Sequence, residues 1–218
     1  AGAIAMLAKL GYKEIEPFGP YEFSDPIQIA NWAKVVPSLG FAGSGFFGKS
    51  LTEVQAILKG EGMAAPSMHT DIHTLQSRMG PLAEAATALG ATYVTLPAIP
   101  DEFRKDLDGY KRTADLFNSI GESAAKNGVK FAYHNHGYGL KPMADGTVPF
   151  DVLLAATDSA KVMLEMDVFW TVAGGADPVA YIKKHSGRYR MFHLKDMKTI
   201  RTFTGDGGFF GLPRYPTN

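Results

Sequence analysis

The sequence predicts an α/β protein of the TIM (β/α)8 barrel class, incomplete in this chain, and three observations carry that reading. First, a cadence of amphipathic helix, Gly or Asn stop and short apolar strand repeats six times within 218 residues. Strand starts lie about 30–40 residues apart, the length of a βα unit. Second, the strands are near-continuous apolar runs, as expected where both faces of a parallel sheet are covered. Third, polar side chains gather at the carboxyl ends of nearly all the strands: Glu16, His69, His134, His136, Asp167, His193 and Lys195. A doubly wound sheet feeds its site from two or three strands at one switch point, whereas a barrel mouth draws on many strand ends. A closed barrel of this kind needs about eight strands, and about six are found here.

The elements follow in order. Ile4–Leu10, stopped by Gly11, leads to a strand at Tyr12–Phe18. The stretch from about 19 to 49, rich in Gly, Pro and Phe, reads as a loop insertion covering part of the mouth. Leu51–Leu58 then leads through Gly60-Glu61-Gly62 to Met63–His69, and Leu82–Leu89 through Gly90 to Ala91–Pro97. Thr113–Lys126 and Asn127-Gly128 precede Val129–His136. Val152–Ala156 precedes Lys161–Phe169, and Pro178–His185 precedes Arg188–Lys195. An irregular tail starts at about 197, where two prolines and a run of glycines show no helix period. The whole, residues 1–218, reads as a single domain.

Composition excludes several function classes. The 22 basic and 22 acidic residues leave no net charge, against a partner held by phosphate electrostatics such as nucleic acid. There is no cysteine, so neither disulfides nor thiolate metal sites are available. No apolar run approaches the ~18–20 residues of a membrane span. The chain begins Ala1-Gly2-Ala3, so a signal peptide is absent or removed. A soluble protein, cytoplasmic or periplasmic, is expected, with a homo-oligomer possible.

The chemistry lies in three stretches. In Phe131–His136, alternation puts His134 and His136 on one strand face and Asn135 on the other. In Leu164–Trp170, Glu165 and Asp167 share a face. Inward carboxylates are costly unless a cation or hydrogen-bond donors neutralise them. They form a metal site or acid–base pair, or a salt bridge with Arg190 or Lys195. Met191–Asp196 puts His193 and Lys195 on one face and Asp196 on the other, as a helix cap or supporting partner. Imidazoles with carboxylates suit Mn2+, Zn2+, Co2+ or Mg2+. His73 and His185 read as solvated. Gly43–Ser50 matches both the G-x-x-x-x-G-K-[ST] and the G-x-G-x-x-G pattern, but Pro37, Ser38 and Gly40 interrupt the strand each requires. A P-loop nucleotide-binding protein is therefore a secondary reading.

Tyr133-His134-Asn135-His136, Leu164–Trp170, Ala176-Asp177-Pro178-Val179 and His193-Leu194-Lys195-Asp196 together resemble the sugar phosphate isomerase/epimerase family, with its xylose isomerase-like TIM barrel. The resemblance runs from about Ile4 to about Asp206. It implies a divalent-metal enzyme acting on a sugar or keto-sugar, a small-molecule carbohydrate, through an enediolate. Asp167 matches the family's ligand Asp and His193 its ligand His, while the first ligand Glu falls on His134. Many relatives carry a further Glu where this chain has Gly139, and the last ligand Glu has no counterpart before Asn218. On this reading His134, Asp167 and His193 hold the metal. Glu165, Glu16 and Lys195 do the chemistry, and His69, His136 and Trp170 contact substrate. A lyase or hydrolase of 3-keto-sugars could use the same site. The absent strands and ligand also admit an inactive barrel remnant.

Overall fold

A computed structural model describes residues 2–39, 44–195 and 202. Asp196 and the tail from 197, Thr202 excepted, lie outside the described residues. Five parallel strands form in the hydrogen-bonded order β1-β2-β3-β4-β5, with helices between successive strands. The chain divides into two compact units, Ala1–Leu96 with Ile120–Phe131, and Pro97–Ser119 with Ala132–Asn218.

The first unit opens with α1 (Gly2–Lys9). The strand expected at Tyr12–Phe18 is reduced to two isolated parallel bridges, Glu14 opposite Ala64 and Phe18 opposite His69. Four steps on one segment (14 to 18) face five on the other (64 to 69), so a continuous ladder cannot form. Pro17 and Pro66 sit in that gap without an N–H to donate. The described strands therefore number five where six were expected.

Within the stretch from 19 to 49 the chain forms helix α2 (Pro26–Leu39), with Pro26 in its first turn and Pro37 tolerated inside. Asp25 Oδ1 accepts the Ile27 N–H at 2.9 Å. The glycine-rich pattern that follows is a tight turn into α3 (Leu51–Glu61). Ser50 is the N-cap: its hydroxyl accepts from Glu53 N at 3.2 Å while the Glu53 carboxylate takes Ser50 N at 2.8 Å. Lys49 lies 3.5 Å from Glu53, and Phe46 is buried. Gly45 has φ +61°, and a Cβ there would meet the Pro20 carbonyl at 2.6 Å. Serine and lysine of the supposed phosphate loop thus serve a helix start.

Next come β1 (Ser67–His69), α4 (Ile72–Ser77), α5 (Met79–Leu89) and β2 (Tyr93–Leu96). Asp71 caps α4 through Thr74 N at 2.9 Å. Gly90 ends α5 in the left-handed conformation, φ 77°, as its place after the apolar period predicts. β1 and β2 pair in parallel, with Ser67 opposite Tyr93 and His69 opposite Thr95. Met68, Leu82, Val94, Ile72 and Leu75 fill the core.

α6 (Leu107–Lys126) and β3 (Lys130–His134) each run through both units. Tyr110, Ala114, Phe117, Ile120 and Ala124 recur at the three-to-four-residue spacing of one buried helix face. The second unit continues with α7 (Pro149–Ala156), β4 (Val162–Asp167), α8 (Val168–Ala173), α9 (Pro178–Lys184) and β5 (Tyr189–His193). Its core holds Phe117, Tyr133, Leu153, Leu164 and Met166. The buried Arg188 guanidinium donates to Leu154 O at 3.0 Å, Thr157 Oγ1 at 2.7 Å and Val162 O at 3.1 Å, tying the end of α7 to β4. β5 lies parallel to β4, but the register jumps: Leu164 faces Tyr189 and Glu165 faces Met191, leaving Arg190 as an extra residue in β5. No described helix is long and apolar enough to cross a membrane.

Two expected outcomes follow from these cores. Replacing Arg188 by Met leaves three buried acceptors without their donor and should cost at least about 2 kcal/mol in urea denaturation; an unchanged midpoint would contradict the role given to the guanidinium. Burial, and then Tyr138, push the Tyr110 hydroxyl up to about 12 and Tyr133 well above its ordinary range. These phenols stay protonated in the folded chain while the unfolded chain ionises from its ordinary value of 10.0. Their contribution is complete below pH 10.0 and is lost as pH rises toward about 12. The denaturation midpoint should fall across that interval, and less so in Tyr133→Phe.

Candidate functional site

Three neighbouring strands, β3, β4 and β5, lead into polar pairs spaced two residues apart: His134 and His136, Glu165 and Asp167, His193 and Lys195. Side-chain alternation aims each pair at one face. The extra residue in β5 brings His193, and not Phe192, opposite Asp167.

Glu165 is 3% exposed, and each of its oxygens faces an imidazole. His134 Nδ1 lies 2.9 Å from Oε2, and His193 Nε2 lies 3.5 Å from Oε1. The two rings meet nearly edge to face at 4.6 Å. One ligand atom from each of His134, Glu165 and His193 lies within 4.8 Å of the others, a spacing at which they could hold a metal ion. Neutral imidazole nitrogens with a buried carboxylate are a donor set that fits a divalent cation.

Asp167, fully buried, is engaged differently. Its Oδ1 accepts the Trp170 N–H at 3.0 Å as N-cap of α8. Its Oδ2 receives the Lys195 ammonium and lies 3.4 Å from His134 Nε2. Burial alone would raise this carboxyl, but hydrogen bonds from His134, Lys195 and the Trp170 amide outweigh it and bring it down to about 2. The salt-bridge alternative read from the sequence is thus present, with Lys195 as the partner and Glu165 as the carboxylate between the two imidazoles.

Asn135 points to the opposite face, as alternation requires, and there it holds the β4–α8 junction. Its Oδ1 accepts Asp167 N at 3.3 Å and its Nδ2 donates to Thr171 Oγ1 at 3.0 Å. The Thr171 hydroxyl in turn donates to Asp167 O at 2.8 Å. Sequence reasoning missed this role; an amide flanked by two histidines was the signal available.

His136 is half-buried, its ring 6.0 Å from that of Tyr138 and 5.4 Å from that of Trp170. Trp170 was expected at the end of a strand; it lies in α8 instead, because the Asp167 cap starts a helix directly after β4. It is buried against Phe169 at 4.9 Å, with the Lys195 ammonium 6.0 Å from its ring. Tyr138 accepts Ile99 N at 2.7 Å and carries the Arg104 guanidinium 3.9 Å above its ring. Gly139 has φ +77°, and a Cβ there would lie 2.7 Å from the Tyr110 hydroxyl, so the position admits no acidic side chain in this packing.

In the first unit the structure brings Glu16 and His69 together. His69 Nε2 lies 3.0 Å from Glu16 Oε2, and both groups are largely shielded from water. His185, expected to be solvated, is half-buried, stacks on Tyr181 at 5.9 Å, and is held below its ordinary value by burial and then by Arg188 and Lys184. His73 is half-buried in α4.

Comparison with known proteins adds ancestry to this geometry. Inosose dehydratase of Clostridium beijerinckii is 34% identical over 90 residues, which are 41% of this chain and 29% of that protein. The chain thus spans under a third of that relative's length. A sugar phosphate isomerase/epimerase from Parabacteroides distasonis superposes with a TM-score of 0.71 at 25% identity, covering 96% of this chain and 72% of its own. The IOLI protein, solved with a bound zinc atom, shares the fold at a TM-score of 0.61 and 16% identity, with 91% of this chain and 69% of its own covered. Residues 4–214 match the family described as xylose isomerase-like TIM barrel, and the chain belongs to that family.

Proposed function

We propose that His134, Glu165 and His193 hold a divalent cation, and that the protein uses this centre to move the proton beside the carbonyl of a keto-sugar or cyclic keto-polyol. The observation that carries the reading is the buried Glu165 carboxylate with one imidazole on each oxygen. An ionised carboxylate in that position is stabilised by a cation shared with both rings. The bound cation would act as a Lewis acid toward substrate oxygens.

The chain's own groups divide the remaining tasks. Lys195, beside Asp167, keeps a positive charge close to where negative charge develops on oxygen. His136, half-buried and backed by Trp170, offers a ring nitrogen to a hydroxyl. Trp170 therefore acts by supporting His136 more than by presenting its own face. Glu16, paired with His69, has the composition of an acid–base dyad and is the proposed base. Glu165 gives up that role in this assignment because it is committed to the two imidazoles.

Once the proton has left, the enediolate has three exits. Reprotonation at the neighbouring carbon isomerises the sugar, and reprotonation from the opposite face epimerises it. Expulsion of a β-hydroxyl as hydroxide, with the abstracted proton, releases water. The inosose dehydratase relatives favour the elimination, and the Parabacteroides structure favours the isomerase or epimerase outcome. An inosose is the first substrate to test, followed by keto-hexoses.

Elemental analysis of dialysed protein checks the centre: about one divalent ion per chain is expected in the wild type, and a large loss in Glu165→Gln and His193→Ala. Equal metal content in all three would remove the basis of the assignment. In turnover assays on an inosose and a keto-hexose panel, His193→Ala should lower kcat/KM by at least about 100-fold. Glu16→Gln should lower kcat while leaving metal content intact. A variant that keeps full turnover dismisses Glu16 as the base.

A further inference from the structure

We propose that Lys195 determines which ion this centre accepts, by occupying Asp167 and keeping its carboxylate out of the donor set. The inference rests on the metal-centre reading above and concerns its selectivity. Asp167 lies two residues from Glu165 on the same face of β4, yet both of its oxygens are committed within the protein. One caps α8 through Trp170 N at 3.0 Å. The other receives the Lys195 ammonium. Lys195 is itself placed from a second side, 6.0 Å from the Trp170 ring centroid. His134 presents one nitrogen to each carboxylate, Nδ1 to Glu165 at 2.9 Å and Nε2 to Asp167 at 3.4 Å.

The charge arithmetic is simple. Glu165 and Asp167 together bring two negative charges, and Lys195 cancels one of them at Asp167. What remains for a cation is one carboxylate and two imidazoles. Mg2+ and Mn2+ are held chiefly by oxygen donors and negative charge. Zn2+ and Co2+ gain far more from imidazole nitrogen and stand higher in the affinity order for such a site. With Asp167 withdrawn, the pocket is therefore tuned to a Zn2+- or Co2+-class ion. Methionine in place of Lys195 keeps the apolar stem and removes the ammonium, which frees Asp167 to add an oxygen and a charge.

The test is equilibrium binding of Zn2+, Co2+, Mn2+ and Mg2+ to metal-stripped full-length protein, by calorimetry with chelator competition and without any turnover assay. The wild type should bind Zn2+ at least about 100-fold more tightly than Mg2+. Lys195→Met should narrow that ratio at least about tenfold, through a gain for Mg2+ and Mn2+. In Asp167→Asn, which keeps an acceptor for the α8 cap, Zn2+ affinity should stay within about threefold of the wild type. A tenfold or greater loss there makes Asp167 a ligand and overturns the proposal, even if Lys195→Met fails to fold. An unchanged Zn2+/Mg2+ ratio in a folded Lys195→Met also overturns it while leaving the metal centre standing. Failure of the wild type to bind any of the four ions overturns the functional reading itself.

Discussion

Two carboxylates buried on one strand set the terms for everything around them. Glu165 and Asp167 project from β4, whose residues are all buried, and an ionised carboxylate in such surroundings costs several kcal/mol unless it is neutralised. The neighbouring strands supply the neutralisation. β3 ends in His134, which faces both acids; β5 delivers His193 to one and leads to Lys195, which reaches the other. Even the start of α8 answers the same need, since the Trp170 amide is aimed at Asp167. The second unit thus organises its polar chemistry and its packing around one electrostatic requirement.

The two acids meet it in different ways. Glu165 is served by aromatic nitrogens, which are also good metal donors, whereas Asp167 is served by an ammonium and an amide, which are not. A strand with identical acids two positions apart therefore carries two chemically distinct sites. The chain also diverges from its relatives at Gly139. The left-handed backbone and the Tyr110 hydroxyl close the space that an acidic side chain would need. Ancestry gives the barrel rim, but the ligand inventory of this rim is the chain's own.

How much was legible in the sequence follows from the range of the signals. The six helices of the cadence are present because their apolar period and terminal glycines are local properties. Gly90, in the left-handed conformation after α5, is one such signal. The face shared by Glu165 and Asp167 was legible for the same reason, since alternation needs only neighbouring residues. α8 was not, because Val168-Phe169-Trp170-Thr171-Val172 has strand-forming composition and its helix depends on the Asp167 cap. The ladder expected at Tyr12–Phe18 failed on a mismatch with a segment about fifty residues away, which no local pattern displays. Which carboxylate each histidine faces, and the grip of Asn135 on the Asp167 backbone, are likewise long-range facts.

The register jump at Glu165 has an implication for how this rim tolerates change. Phe192 and Leu194 stand among the exposed apolar residues of β5, one position out of step with His193 and Lys195. Parity along that strand is set by Arg190 alone. Shortening the strand there by a single residue would present phenyl and isobutyl groups to the acids and turn the imidazole and ammonium toward solvent. Insertions and deletions upstream in the βα loops leave that count untouched, so length variation is tolerable almost anywhere in this unit except across four or five residues of one outer strand.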